Sequence, residues 1–199
     1  GCKKRMGQDW RPNRAISNEL VHRLLAFCKE RYKSSDSFDK TADWIIAGTY
    51  FATGYVCSLR GPEGLLVDLE ELPAMINQSN PDEIAIPLLG RVKGETNVRH
   101  HKLFSVATTL SGIDIKTWYR RSLLVHRAYG RTRGPAVCDS KGLQLFTRDL
   151  NFKFWEALGE IWQQEPELFL SDIKTLPDIE LVYNVFRSLR RGSDSRAIE

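Results

Sequence analysis

The feature that most constrains the fold is an uncharged, largely apolar stretch of sixteen residues from Trp44 to Leu59. This stretch is shorter than the ~20 residues that a membrane-spanning helix needs, and two glycines and two threonines interrupt it. A helix that is apolar on all sides and does not cross a membrane has to be buried within the protein. The stretch therefore predicts a buried central helix.

Periodicity and chain-breaking residues predict the other elements. In chain order they are a helix capped by Ser17 and reaching about Tyr32, a polar loop over 33–40, the central helix over 41–59, a helix opened by Pro62 and reaching about Leu72, a β-hairpin between Glu83 and Val106, a helix over 113–129, a helix from a Thr147 cap to Trp162, and a last segment opening near Asn184. This pattern is typical of a mainly α fold with a small antiparallel sheet. The length of 199 residues suits one domain, over 17–199, preceded by a basic arm over 1–16.

Charge is segregated along the chain. The formal net charge of +4 is too small to indicate a nucleic-acid partner by itself. Basic residues nevertheless concentrate in residues 1–14 and 113–133, whereas residues 62–83 contain six acidic residues and no lysine or arginine. We therefore expect one face of the protein to be basic.

The cysteines indicate the cellular compartment. The four cysteines show no CxxC spacing, and most lie in apolar or small-residue surroundings, which favours reduced thiols. The basic first residues are not followed by the apolar run of a secretory signal. These features predict an intracellular protein, and a nuclear one if the source is a eukaryote.

Two segments carry a cation at a special place in the chain. Arg60 lies between the central helix and the next element, where its guanidinium group either pairs with a carboxylate such as that of Glu63 or binds a phosphate bidentately. Lys93 lies in the hairpin turn, which is a usual place for a solvated lysine. Neither position alone distinguishes structure from function.

The last segment carries three arginines at helical spacing. Arg187, Arg190 and Arg191 would lie on one side of a helix. They either form a solvated basic face, or Arg187 turns inward as a second phosphate ligand while the other two contact the DNA backbone.

Taken in order, these segments resemble the signature of the tyrosine recombinases, the phage-integrase-like superfamily of DNA breaking-rejoining enzymes. The matched positions are Leu59-Arg60 and Glu63 for box I, Lys93 after Gly90-Arg91-Val92 for the lysine hairpin, and Arg187 for the arginine of box II, in which Asn184 stands where the family has histidine. The resemblance covers about Ser17 to Glu199, and it is nearest to integrase-like proteins of eukaryotic mobile elements such as Cryptons.

The resemblance implies a chemistry and its partners. A tyrosine would attack a DNA phosphodiester and form a phosphotyrosyl link without a metal or nucleotide cofactor. Arg60 and Arg187 would stabilise the charge on the phosphoryl oxygens, and Lys93 would protonate the leaving oxygen, with Glu63 and Asn184 in supporting roles. Double-stranded DNA would be the partner, and self-association on that DNA is expected.

One part of the family pattern is missing. The family's nucleophile lies downstream of box II, whereas all six tyrosines of this sequence precede Arg187. We therefore expect either a C-terminally truncated integrase-like core or a descendant of a recombinase that binds DNA without cleaving it. An amide at position 184 also removes a group that could transfer a proton.

Two other functions compete with strand cleavage. A non-enzymatic DNA-binding module would use basic side chains interleaved with aromatic ones, and the predicted backbone contacts are Arg91, Lys116, Arg120, Arg121, Arg127, Arg131, Arg133, Arg190 and Arg191. A protein-interaction domain would use an apolar surface over 152–162. No metal site is expected, because the adjacent His100 and His101 of a strand point to opposite faces and no set of cysteines or carboxylates has ligand spacing.

Overall fold

The computed structural model describes residues 14–59, 61–78, 80–91 and 96–196. In these residues the helices are α1 (Asn18–Ser34), α2 (Phe38–Val56), α3 (Leu72–Gln78), α4 (Ile115–Ala128), α5 (Thr147–Gln164), α6 (Leu176–Val182) and α7 (Val185–Arg196). Two strands, β1 (Glu83–Gly90) and β2 (Arg99–Val106), and two 3-10 helices, Gly61–Leu66 and Pro166–Leu168, complete the described part. The expected fold class, mainly α with a small antiparallel sheet, is confirmed.

Helix α2 is the buried centre of the fold, as the apolar stretch predicts. It packs against α1, α4 and α7, and Phe51 and Ala52 are fully buried within it. Gly48 lets α4 come very close, since a Cβ there would lie 2.4 Å from Cζ3 of Trp118. Burial of a side chain as large as Phe51 stabilises the fold by about 1.5–3 kcal/mol.

Capping residues set where several helices begin. The Ser17 side chain accepts a hydrogen bond from the Leu20 N–H at 3.1 Å, so the predicted cap of α1 is confirmed. The predicted loop over 33–40 is too long, because Ser37 caps α2 and the helix begins at Phe38. The prediction that Thr147 caps α5 is wrong. Thr147 is the first helical residue of α5, and the N-cap is Phe146.

The segment after α2 differs from the prediction of one helix from Pro62 to Leu72. Ser58 adopts a left-handed backbone with φ of 50°, and the 3-10 helix Gly61–Leu66 follows. Val67 then pairs with Leu88 of β1, and the Asp68 N–H donates to the Pro87 carbonyl at 2.9 Å. These backbone bonds to the sheet extend the chain and delay α3 until Leu72.

The predicted hairpin is confirmed as an antiparallel pair whose register places Glu83 opposite Val106 and Gly90 opposite Arg99. Its inner face covers α3, and Ile84 and Ile86 are fully buried there. The hairpin and α3 thus form a second, smaller core beside the one around α2.

Residues 14–16 lie against the last two helices. The Arg14 N–H donates to the Val182 carbonyl at 2.9 Å, and the Ile16 N–H donates to the Ser188 carbonyl at 3.1 Å. Gly192 of α7 permits this approach, because a Cβ there would lie 2.4 Å from the Ile16 carbonyl oxygen. The boundary between arm and core at residue 17 stays a prediction.

Among the described helices, each one is too short or too polar to serve as a membrane span.

Candidate nucleic-acid interface

The described parts of the three segments that carry the predicted catalytic residues meet at the 3-10 helix Gly61–Leu66. Gly64 touches the ring of Tyr50, since a Cβ on Gly64 would lie 2.7 Å from Cε2 of that ring. At the end of this helix, Leu66 touches Gly90, the last residue of β1, where a Cβ would lie 2.5 Å from Cδ2 of Leu66. We call this 3-10 helix, together with Tyr50 and Gly90, the junction.

Helix α7 joins the same place from the other side. The rings of Tyr50 and Phe186 meet edge to face, with centroids 5.8 Å apart and an interplanar angle of 77°. Leu189, one turn further along α7, packs against Gly54 of α2. The helix that carries Arg187 therefore packs against α2, and it also contacts the 3-10 helix that follows position 60.

Two of the predicted catalytic residues, Arg60 and Lys93, lie outside the described residues. Their described neighbours are Leu59, which is buried, and Arg91, which is exposed. Glu63, the predicted supporting carboxylate of box I, is half-buried on the 3-10 helix.

Asn184, the predicted supporting residue of box II, caps α7. Its Oδ1 accepts hydrogen bonds from the N–H groups of Phe186 at 3.2 Å and Arg187 at 3.4 Å. The side chain of Ser188 accepts in turn from the Asn184 N–H at 3.0 Å. Asparagine is a good cap because a short side-chain oxygen reaches the first-turn N–H groups.

Asn151 helps to position the helix of Arg187, a role that the sequence does not predict. It is buried on α5, and its Oδ1 accepts from the Val185 N–H at 2.9 Å. The first N–H groups of α7 are therefore satisfied by two asparagines, so this helix end offers an anion little. An isolated asparagine in an amphipathic helix gives no sequence signal of such a contact.

Arg187 is exposed, and the prediction that it turns inward is wrong. The reason is that Val185, Ser188 and Leu189 occupy the buried side of α7. Its guanidinium group makes no hydrogen bond or ion pair with another residue in the described ranges, so it is available to an anion in solvent. Of the other two arginines, Arg190 is half-buried and Arg191 is exposed.

The basic residues around α4 divide into two groups. Arg120, Arg127 and Arg133 are exposed. Arg121 instead lies over the rings of Trp118 and Tyr32, at 5.4 and 5.5 Å from their centroids.

Arg131 and Lys116 also serve the fold. Arg131 lies 4.3 Å from the Tyr129 ring centroid and donates to the Ser140 carbonyl and the Cys138 Sγ. Lys116, predicted as a DNA-backbone contact, is 7% exposed and donates to the Asn80 carbonyl at 3.2 Å. Burial of its stem against the end of the hairpin removes it from the surface that DNA could reach.

The tyrosines are placed as structural side chains. Burial raises the pKa of Tyr50, Tyr119 and Tyr183, which disfavours the phenolate that a nucleophile needs. Burial and a hydrogen bond donated to Asp39 raise the pKa of Tyr129 to about 12. Tyr55 is 3% exposed, and Tyr32 stacks edge-on against Trp118.

Comparison with known proteins supports the fold. No protein-family model and no curated protein matches the chain. Among solved structures, it is similar to the XerH site-specific recombinase bound to its difH substrate in a pre-cleavage complex, with a TM-score of 0.56, 12% identity, and coverage of 92% of this chain and 42% of that chain. It is also similar to the post-cleavage complex of that recombinase with a palindromic difH substrate, with a TM-score of 0.54, 11% identity, and coverage of 90% and 40%.

These likenesses show that the chain has a tyrosine-recombinase type of fold. The chain spans about two fifths of the length of the solved recombinase chains that it matches.

Proposed function

We propose that this chain is part of the catalytic core of a site-specific recombinase that breaks and rejoins double-stranded DNA for a mobile genetic element. The observation that carries the proposal is the junction, where the 3-10 helix after position 60, the loop end of the hairpin and the helix of Arg187 meet. The fold shared with a DNA-bound site-specific recombinase supports the same conclusion. We further propose that the chain is related to Crypton-type integrases.

The proposed reaction needs cations around one phosphate. A tyrosine hydroxyl releases its proton to water and its oxygen bonds to the scissile phosphorus, the bond from phosphorus to the 5′-oxygen breaks, and Lys93 gives its proton to that oxygen. The guanidinium groups of Arg60 and Arg187 stabilise the charge on the remaining phosphoryl oxygens. Asn184 supports Arg187 by capping its helix, and Glu63 supports the segment of Arg60.

We assign the nucleophile to none of the six tyrosines of this sequence. The raised pKa values of Tyr50, Tyr119, Tyr129 and Tyr183 support this assignment, because they disfavour the phenolate. A tyrosine from a segment that follows Arg187 in the native protein would supply the attacking oxygen. The exposed arginines, among them Arg91, Arg120 and Arg133, would contact the DNA backbone. Several copies would assemble on one DNA, inside the cell and in the nucleus of a eukaryotic host.

A nicked suicide substrate tests the proposal. The protein, together with any native sequence that follows Glu199, is incubated with duplex DNA that traps the covalent intermediate, and the adduct is followed on a denaturing gel. Loss of one preorganised donor at such a centre costs about 100- to 1000-fold in rate, so Arg187→Ala should lose the adduct at that scale. Arg148→Ala, at an exposed arginine on α5, is the matched control.

One observation favours a second function, DNA binding without cleavage. Asn184 cannot titrate, and its oxygen is already occupied by the first turn of α7. Retention of duplex binding with no adduct in any of these proteins would favour the binding module and refute the enzyme.

A further inference from the structure

A histidine and two carboxylates from separate segments come together beside the hairpin. They are Asp68, which follows the 3-10 helix, Glu71, which precedes α3, and His100, the second residue of β2. One potential ligand atom from each side chain lies within 4.8 Å of the other two. The His100 Nδ1 is 3.3 Å from Oε1 of Glu71.

The backbone around this group is fixed by hydrogen bonds. The Asp68 N–H donates to the Pro87 carbonyl at 2.9 Å, and the next residue, Leu69, donates to the Gly134 carbonyl at the same distance. His100 lies in the antiparallel ladder opposite Leu89. The backbones of Asp68 and His100 are therefore held in place by the sheet and its bridges, so a ligand would have to order only the side chains.

The charge of Asp68 gives the second, independent observation. This residue is only 7% exposed, and its carboxylate accepts one hydrogen bond, from the Glu70 N–H at 3.3 Å. It forms no ion pair with a cationic residue in the described ranges. Asp68 and Glu71 bring two carboxylates close together, and a cation bound between them would relieve their mutual repulsion.

We propose that Asp68, Glu71 and His100 bind one divalent zinc ion. Zinc takes imidazole nitrogen together with carboxylate oxygen, and three protein ligands leave a fourth position for water. Magnesium and calcium prefer all-oxygen sites, so the imidazole disfavours them. The ion would join the turn before α3 to the start of β2, and so restrain the hairpin at the end where β1 stops at Gly90 and β2 begins at Arg99. The site does not rest on the proposed recombinase function.

The three proposed ligands come from segments that are separated along the chain, so their spacing in the sequence does not reveal the site. His100 is exposed whereas His101 is half-buried, so the two adjacent histidines do lie on opposite faces. The partners of His100 come instead from residues far away in the sequence, which the fold brings to it.

Calorimetric titration of the metal-free chain with zinc tests the site. We expect one ion per chain in the wild type. Replacement of an outer-shell group typically costs about 10- to 100-fold in metal affinity, so removal of a direct ligand in His100→Ala or Glu71→Gln should weaken binding by at least about tenfold. Glu70→Gln, at the exposed neighbouring acid, is the control and should bind as the wild type does.

Thermal unfolding gives a second readout. Zinc should raise the Tm of the wild type and of Glu70→Gln by similar amounts, and should raise that of His100→Ala clearly less at the same zinc concentration. Both ligand variants alter side chains that are at least 39% exposed, so circular dichroism should show an intact fold. Equal zinc affinity in the wild type and in both ligand variants, or no zinc binding at all, overturns the proposal.

Discussion

Replacing Gly64 with alanine tests how tightly the junction is packed. An added Cβ would lie 2.7 Å from Cε2 of Tyr50 and 3.4 Å from Cδ2. Tyr50 is only 4% exposed, and its ring is in edge-to-face contact with both Phe51 and Phe186. The ring therefore cannot swing away without displacing α7.

Two opposing effects set the magnitude. Gly64 does not have a positive φ, so alanine fits the backbone and would stabilise the fold by about 0.4–1 kcal/mol through the unfolded chain. Overpacking of a close-packed site costs about 1–3 kcal/mol. Because the neighbouring ring is confined, overpacking should dominate, and we expect a net loss of about 1–2 kcal/mol. For a chain of this size that loss lowers the Tm by about 2–8 °C.

Urea denaturation followed by tryptophan fluorescence measures this loss. Gly54→Ala is the control, since its Cβ would lie 3.3 Å from the flexible end of Leu189 and should cost little. In a Tyr50→Leu background the same Gly64→Ala change should cost at least about 0.5 kcal/mol less, because the two sites are in contact. An unchanged or higher stability of Gly64→Ala, or an equal cost in both backgrounds, would refute the reasoning.

Three further predictions concern α7, the basic surface and pH. Asn184→Ala should lower the free energy of unfolding by about 0.5–2 kcal/mol and Asn184→Asp should retain most of it; equal stability of the alanine variant and wild type would contradict the capping role. Duplex DNA affinity should fall steeply with salt, and Arg120→Ala should reduce the slope of log affinity against log salt by about 1 relative to Arg148→Ala; a flat wild-type dependence would mean that the surface does not touch phosphates. Burial lowers the pKa of His126 below its ordinary value of 6.5, so the unfolded chain binds a proton at this residue more readily than the folded chain does. The Tm should therefore fall as the pH drops below about 6.5, and it should level off once the pH is below the pKa of His126 in the folded protein. His126→Gln should show a flatter Tm profile between pH 8 and 5, and identical profiles would contradict this assignment.

Local chemistry made some elements predictable. Ser17 predicts the start of α1, because a hydroxyl before an amphipathic run can accept a hydrogen bond from an N–H group of the first turn. The uncharged run before Arg60 predicts that α2 is a buried helix, because a helix that is apolar on every side needs to be covered on every side. Both signals are contained within a few neighbouring residues.

Other features depend on contacts between residues far apart in the chain and could not be predicted from the sequence. Val67 is not helical as predicted, because its backbone pairs with that of Leu88, on a strand that comes later in the chain. Lys116 and Arg131 belong to a basic run in the sequence, but one reaches the Asn80 carbonyl and the other an aromatic ring and a loop carbonyl. The charge pattern of a sequence shows where arginines and lysines are, but it does not show which of them bind other residues of the fold.

The apolar segment expected as a protein contact is divided in the same way. Phe152 is 58% exposed, as a contact surface requires. Trp155 instead donates its indole N–H to the Tyr183 carbonyl at 2.7 Å and so anchors the start of α7.

Several anchors fix α7, which changes what ligand binding has to accomplish. Asn151 and Asn184 hold its beginning, and Gly192 brings its middle against Ile16. Ordering a helix of twelve residues from coil would cost about 1–2 kcal/mol for each residue. An anion that meets Arg187 has to immobilise only one side chain, at a cost of at most about 2 kcal/mol. Binding therefore does not have to supply the free energy of ordering the helix.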